Sequence, residues 1–207
     1  MDWSADGWRG AFRVESRVEA MELTSRGWPV LPGTYPTNSG WAGREGEHAE
    51  DARGPVPIHR DWRQRIDTRP DEVVSWWSGE PYSLLLATGP GVEALEVGTE
   101  LGRRTAAVLR GLDVLVPIVA TPGGRWYFLT RGGQRLCSEL DTEPDVRLHG
   151  EGSWVPMPPT VFPVGLVHWR VKPHMCGWRL PDPELVQNAL CAGQPGEAAA
   201  PLLAAAG

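Results

Sequence analysis

Residues 91–102 read GVEALEVGTELG, and the way this stretch is parsed decides the fold. It follows a short apolar run, SLLLATG at 83–89, that reads as a buried strand. Beyond it, Leu101, Thr105, Val108, Leu109 and Leu112 recur at helical spacing, so a helix over 99–112 is expected. Between the two, VEALEV at 92–97 reads as a second strand. ATGPGVEA does carry Gly-x-Gly-x-x-Ala, the spacing of a dinucleotide-binding turn, but that motif needs a helix to open at once. A plain turn between strands is the preferred reading. On a strand, residues i and i+2 project from one face, so acidic-x-acidic is a good grip for paired divalent cations. Here the first acid is Glu96 and residue 98 is Gly98, while Glu100 falls where the helix begins. Local chemistry therefore leaves one carboxylate at a strand end.

The rest of the chain bounds the function classes. A length of 207 residues, with 41% hydrophobic and 22% charged residues, suits one sizeable soluble globular domain. Apolar runs such as VLVPIVA are too short to cross a bilayer, and MDWSADGWRG lacks the apolar segment of a secretory signal. Cys137, Cys176 and Cys191 are irregularly spaced, which suits reduced thiols and a cytoplasmic location. The net charge of −6, with Lys172 as the one lysine, argues against non-specific coating of a phosphate backbone but leaves a local patch open.

Residues 1–11 read as a flexible arm, 12–192 as a single domain and 193–207 as a disordered Ala/Pro/Gly tail. Val14, Val18 and Met21 mark the apolar face of a helix from Phe12 to Arg26, with Gly27 as its stop. WPVLP at 28–32 reads as a strand and 32–57 as a long surface loop. Thr68-x-x-Asp71 has the form of a helix start ahead of Val73, Val74, Trp76 and Trp77. VLVPIVATP and RWYFLTR read as strands about a Gly-Gly turn; DVRLHGEGSWVPMPPTV and HWRV add further strands, and DPELVQNAL a final helix. The order of elements is mixed α/β.

HRDWRQRIDTR at 59–69 interleaves Arg60, Trp62, Arg63 and Arg65, the pairing of charge with ring that single-stranded nucleic acid uses; a solvated loop is the competing reading. His168, His174, Cys176 and Cys191 match no standard zinc spacing. Trp28, Trp76 and Trp77 are expected in the core. Nucleophile-elbow, phosphate-loop and zinc-protease motifs do not occur.

Taken in order, the blocks resemble one family. ELTSRGWPVLPG, DTRPDEVVSWWSGEPYSLLLATGPG, ALEVG, TPGGRWYFL and DVRLHGEGSWVPMPPT are similar to successive motifs of the N-terminal domain of bifunctional DNA primase/polymerases, of the archaeo-eukaryotic primase superfamily, over roughly residues 15–170. The resemblance implies an α+β primase-polymerase fold, an RRM-like sheet joined to an N-terminal α/β unit. It implies template-directed nucleotide addition with Mg2+ or Mn2+. Carried over, Glu96 takes the first metal carboxylate and Asp145 the last; Gly123, Gly124, Arg125 and Arg147 flank the nucleotide phosphates. The departures matter as much. The second carboxylate is Gly98, the histidine expected at the triphosphate is Trp126, and GTYPTN stands where a Lys-x-Pro element is usual. The expectation is a catalytically impaired domain retained to bind nucleotide, DNA or a protein partner, with no membrane role. An active polymerase recruiting Glu100 and a protein-interaction module are the alternatives.

Overall fold

The computed structural model describes residues 5–38, 40–44, 54–66 and 69–194. In chain order the elements are α1 (Ala5–Ser25), β1 (Val30–Gly33), β2 (Tyr35–Thr37), β3 (Gly40–Ala42), α2 (Pro70–Ser75), β4 (Ser83–Thr88), β5 (Glu93–Gly98), α3 (Thr99–Gly111), β6 (Ile118–Ala120) and β7 (Arg125–Thr130). There follow α4 (Ser138–Asp141), β8 (Arg147–His149), β9 (Ser153–Met157), β10 (Val161–Phe162), β11 (Gly165–Leu166), β12 (His168–Val171) and α5 (Pro183–Ala192). This is an α+β fold with antiparallel sheets. None of the described helices is long and apolar enough to cross a membrane.

Two sheets carry the fold. One has the order β1-β4-β9, the other β12-β6-β7-β5-β8. Within the second, β5-α3-β6-β7-α4-β8 is a βαββαβ run whose strands lie in the order β8-β5-β7-β6, the split-βαβ arrangement of RRM-like sheets. Alternation along β5 and β7 separates two cores. Leu95, Val97, Trp126 and Phe128 pack beneath Leu101 and Leu109 of α3 and Val186 and Leu190 of α5. Ala94, Tyr127 and Leu129 face the other way, against Leu84 and Leu86 of β4, Val155 and Met157 of β9, and Leu23 of α1. Because β4 is also covered on its outer face, where Leu85 and Ala87 meet Leu31 and Trp62, all six of its residues are buried. That double burial is why SLLLAT is a continuous apolar run.

Four expectations change. The segment 1–11 is not wholly an arm, since α1 begins at Ala5; residues 1–4 lie outside the described residues. Val14, Val18 and Met21 do not face the core but are 58%, 58% and 49% exposed. The buried stripe is Ser16, Ala20 and Leu23, whose small residues let the helix approach closely. The span 32–57 is not a plain loop: β2 and β3 pair as a hairpin, and Thr34 N donates to Val56 O at 2.8 Å while Ile58 N donates to Pro32 O at 3.1 Å. Backbone polar groups that leave water need such partners, and the chain finds them at β1. Last, the N-cap position of α2 is Arg69, which makes no side-chain cap; Thr68 and 45–53 lie outside the described residues, as do 195–207, most of the expected tail.

Candidate active site

The register of the five-stranded sheet decides which side chains can meet. Glu96 lies opposite Tyr127 on β7 and Arg147 on β8, Gly98 opposite Arg125, and Ala94 opposite His149. Directly opposed residues share a face, so Glu96, Gly98, Arg125, Tyr127, Arg147 and His149 form one surface. The turn ahead of β7 holds Arg125 in place. Thr99 N and Oγ1 both donate to Gly124 O, at 3.0 and 2.9 Å, and Arg125 N donates to Thr121 Oγ1 at 3.2 Å. Gly124 takes φ +79° to make this turn, a conformation that costs glycine little.

A chain of hydrogen bonds crosses four strands. Ser153 Oγ lies 3.0 Å from Nδ1 of His149, and Nε2 of His149 lies 2.5 Å from Oε2 of Glu96. Arg125 Nε donates to Oε1 of Glu96 at 2.7 Å; its Nη1 donates to Oδ1 of Asp145 and its Nη2 to the Asp145 carbonyl at 2.9 Å. The remaining oxygen of Asp145, Oδ2, accepts from Gly98 N at 2.9 Å. Each of the four carboxylate oxygens therefore has a donor. Asp145 folds onto the strand end only because residue 98 lacks a side chain: a Cβ there would collide with Oδ2.

The electrostatics follow from these contacts. Burial works to raise the Glu96 pKa, but hydrogen bonds from His149 and Arg125 outweigh it and hold the carboxyl below its usual range. Burial likewise works against the Arg125 charge, and the bonds to Asp145 and Glu96 more than restore it. Tyr127 is pushed up by burial and by the Glu96 charge, so its phenol stays neutral. One guanidinium bridges the two anions and offsets one of their two negative charges.

These residues do not fit a two-cation set. A divalent ion would have to displace Arg125 from both carboxylates, and Gly98 supplies no second oxygen ligand on β5. Among the described residues no group of three His, Cys, Asp or Glu is placed to hold an ion. Glu100 does not join: it sits in the first turn of α3, 75% exposed, paired with Arg103 at 2.8 Å. His168, His174, Cys176 and Cys191 are not gathered either; Cys191 lies 3.8 Å from Cys137 instead.

Two site expectations are corrected. Trp126 does not face Glu96. It is buried on the opposite side of β7, against Gly102 of α3, with the Arg170 guanidinium 4.9 Å from its ring. The residue on the carboxylate face is Arg125, one position earlier, because side chains alternate along a strand. Trp62 is no platform for a base: it is 6% exposed and packs edge-on to Trp154 at 5.5 Å. Its neighbours remain at the surface. Arg63 donates to Gly152 O at 3.1 Å and borders a cleft of about 590 Å³ with Trp28, Thr88 and Gly91. Arg60 and Arg65 border a second cleft of about 510 Å³, with Arg65 paired to Asp61 at 3.0 Å. Gly123 and Arg147 are exposed, and Arg147 lies opposite Glu96.

His149 and Ser153 were not singled out from sequence. A histidine two places after Arg147 on a short strand was the available signal, since it shares that residue's face.

The family model for bifunctional DNA primase/polymerase, N-terminal, matches residues 20–185. A search of curated proteins finds no match.

Proposed function

We propose, from the premise that the chain belongs to the bifunctional DNA primase/polymerase N-terminal family, that it is a member which has given up metal-dependent nucleotide addition and acts by binding. The observation that carries this reading is Arg125 seated between Glu96 and Asp145. In nucleotidyl transfer the cations must be able to exchange pyrophosphate oxygens and activate an attacking oxygen. A guanidinium has no open coordination position and does not deprotonate, so it can balance charge but cannot polarise an attacking hydroxyl. The Gly98 contact with Asp145 and the inward turn of Trp126 support the same reading.

The proposed ligand is single-stranded nucleic acid held by its backbone. Arg63 and Arg65 lie on one short helical turn, Trp62–Arg65, with Arg60 just ahead of it; the three border two clefts, and Trp62 anchors the turn from below. With the ring buried, affinity rests on charge, so binding should be salt-sensitive and indifferent to base identity. Fluorescence anisotropy with a labelled single-stranded oligonucleotide tests this. Replacing the three arginines by alanine should lower the slope of log K against log salt by about 2. Unchanged binding in that variant, or none in the wild type, overturns it. In a parallel primer-extension assay, manganese-dependent incorporation that disappears in Glu96→Ala would show that catalysis survives. The net charge of −6 favours a second reading, a protein-interaction module. Absence of oligonucleotide binding at low salt would leave that reading standing.

A further inference from the structure

The exposed face of α1 is ordered as a pairing surface. Ala11, Val14, Val18, Met21 and Ser25 follow one another at spacings of three and four, and all five are exposed. This is an a/d seam about 21 Å long, with Val18 and its neighbours Ala11 and Ser25 at a and Val14 and Met21 at d. Its flanks are charged. Glu15 and Glu22 occupy the e side and Arg17 the g side. The ion pairs among the described residues leave Arg17 and Glu22 out. The opposite face of the same helix, Ser16, Ala20 and Leu23, is already committed to the core. The fold thus holds the helix rigid, so pairing carries no cost of helix nucleation.

We propose that this face is an interface between two copies of the chain, with the two α1 helices side by side and parallel. The charges select the occupant and its direction. In a parallel pair, a g residue meets the e residue five places later on the partner helix. Residues 17 and 22 are five apart, so Arg17 of each copy meets Glu22 of the other, twice by symmetry. An antiparallel pair would bring the e sides together, setting Glu15 against Glu22 twice. A basic or anionic membrane surface has no reason to prefer this face, whose flanks carry both signs.

The test is sedimentation equilibrium on the full chain from low micromolar to near-millimolar concentration. A monomer–dimer equilibrium is expected. Arg17→Glu alone sets Glu against Glu at both contacts, and Glu22→Arg alone sets Arg against Arg; each should weaken association by about tenfold. An equimolar mixture of the two single variants restores both opposite-sign contacts and should recover a dimer, as should the doubly exchanged chain. Val18→Glu should leave a monomer with unchanged circular dichroism, which separates lost pairing from lost folding. A wild type that stays monomeric throughout overturns the proposal. So does a dimer that survives Val18→Glu, or one indifferent to the charge exchanges.

Discussion

At the scale of single residues, Gly98 and Arg125 act together. The missing side chain lets Asp145 close onto the strand end, and the guanidinium then joins Asp145 to Glu96. Gly98→Ala should displace Asp145, whose half-exposed side chain can swing aside, and so cost no more than about 1 kcal/mol from the lost contacts, read from the urea midpoint at constant m. Gly98→Asp, which creates an acidic-x-acidic pair, should cost more than Gly98→Ala, because it sets a third carboxylate beside a single guanidinium. The Glu96 carboxyl makes acid stability a second readout. Its folded pKa lies below the ordinary glutamate range, so its contribution is fully present above that range and is lost as pH falls through the depressed folded value. Glu96→Gln should therefore be less stable near neutrality and show a flatter dependence of stability on pH in the acid range. Denaturation curves at a series of pH values would read both effects.

At the scale of elements, the close contact of α3 with β7 explains why a tryptophan can occupy position 126. A Cβ at Gly102 would come within 2.8 Å of the Trp126 ring, so the helix can seat over the indole only with glycine at that point. Gly102→Ala raises helix propensity yet should destabilise by about 1–3 kcal/mol, since a rigid ring cannot give way as a flexible side chain can. Thermal unfolding of this variant should show a lower Tm, and Gly102→Ala combined with Trp126→Phe should recover part of it. α1 illustrates the opposite outcome. Its sequence holds two apolar-compatible stripes, 14-18-21 and 16-20-23, and periodicity favours the first because its side chains are larger. Packing chose the second, because small residues permit close approach to the sheet.

At the scale of the whole molecule, the five-stranded sheet is shared by both cores: Phe128 faces α3 and α5, while Leu129 beside it faces β4 and β9. A disturbance on either face should then be felt by the entire fold. Phe128→Ala and Val155→Ala, on opposite cores, should each lower a single thermal transition that near-UV and far-UV circular dichroism report alike. The phenylalanine variant should lose about 3–5 kcal/mol. Two separated transitions would mean that the three-stranded and five-stranded sheets unfold independently.

Much of this architecture was legible in the chain itself. SLLLAT, VEALEV, the helix from Thr99 and the helix in DPELVQNAL are local matters of burial pattern and turn residues, and their order identified an α+β fold and a family resemblance. That residue 98 is glycine, leaving Glu96 without an acid two places on, was equally plain. What remained hidden were relations between strands: that Arg125 rather than Trp126 shares a face with Glu96, that His149 reaches the same carboxylate with Ser153 behind it, and that Trp62 is enclosed. Side-chain alternation has a period of two, so an uncertainty of one residue in where a strand begins reverses every facing assignment along it. Only the cross-strand register and the packing of α3 and the two sheets remove that uncertainty.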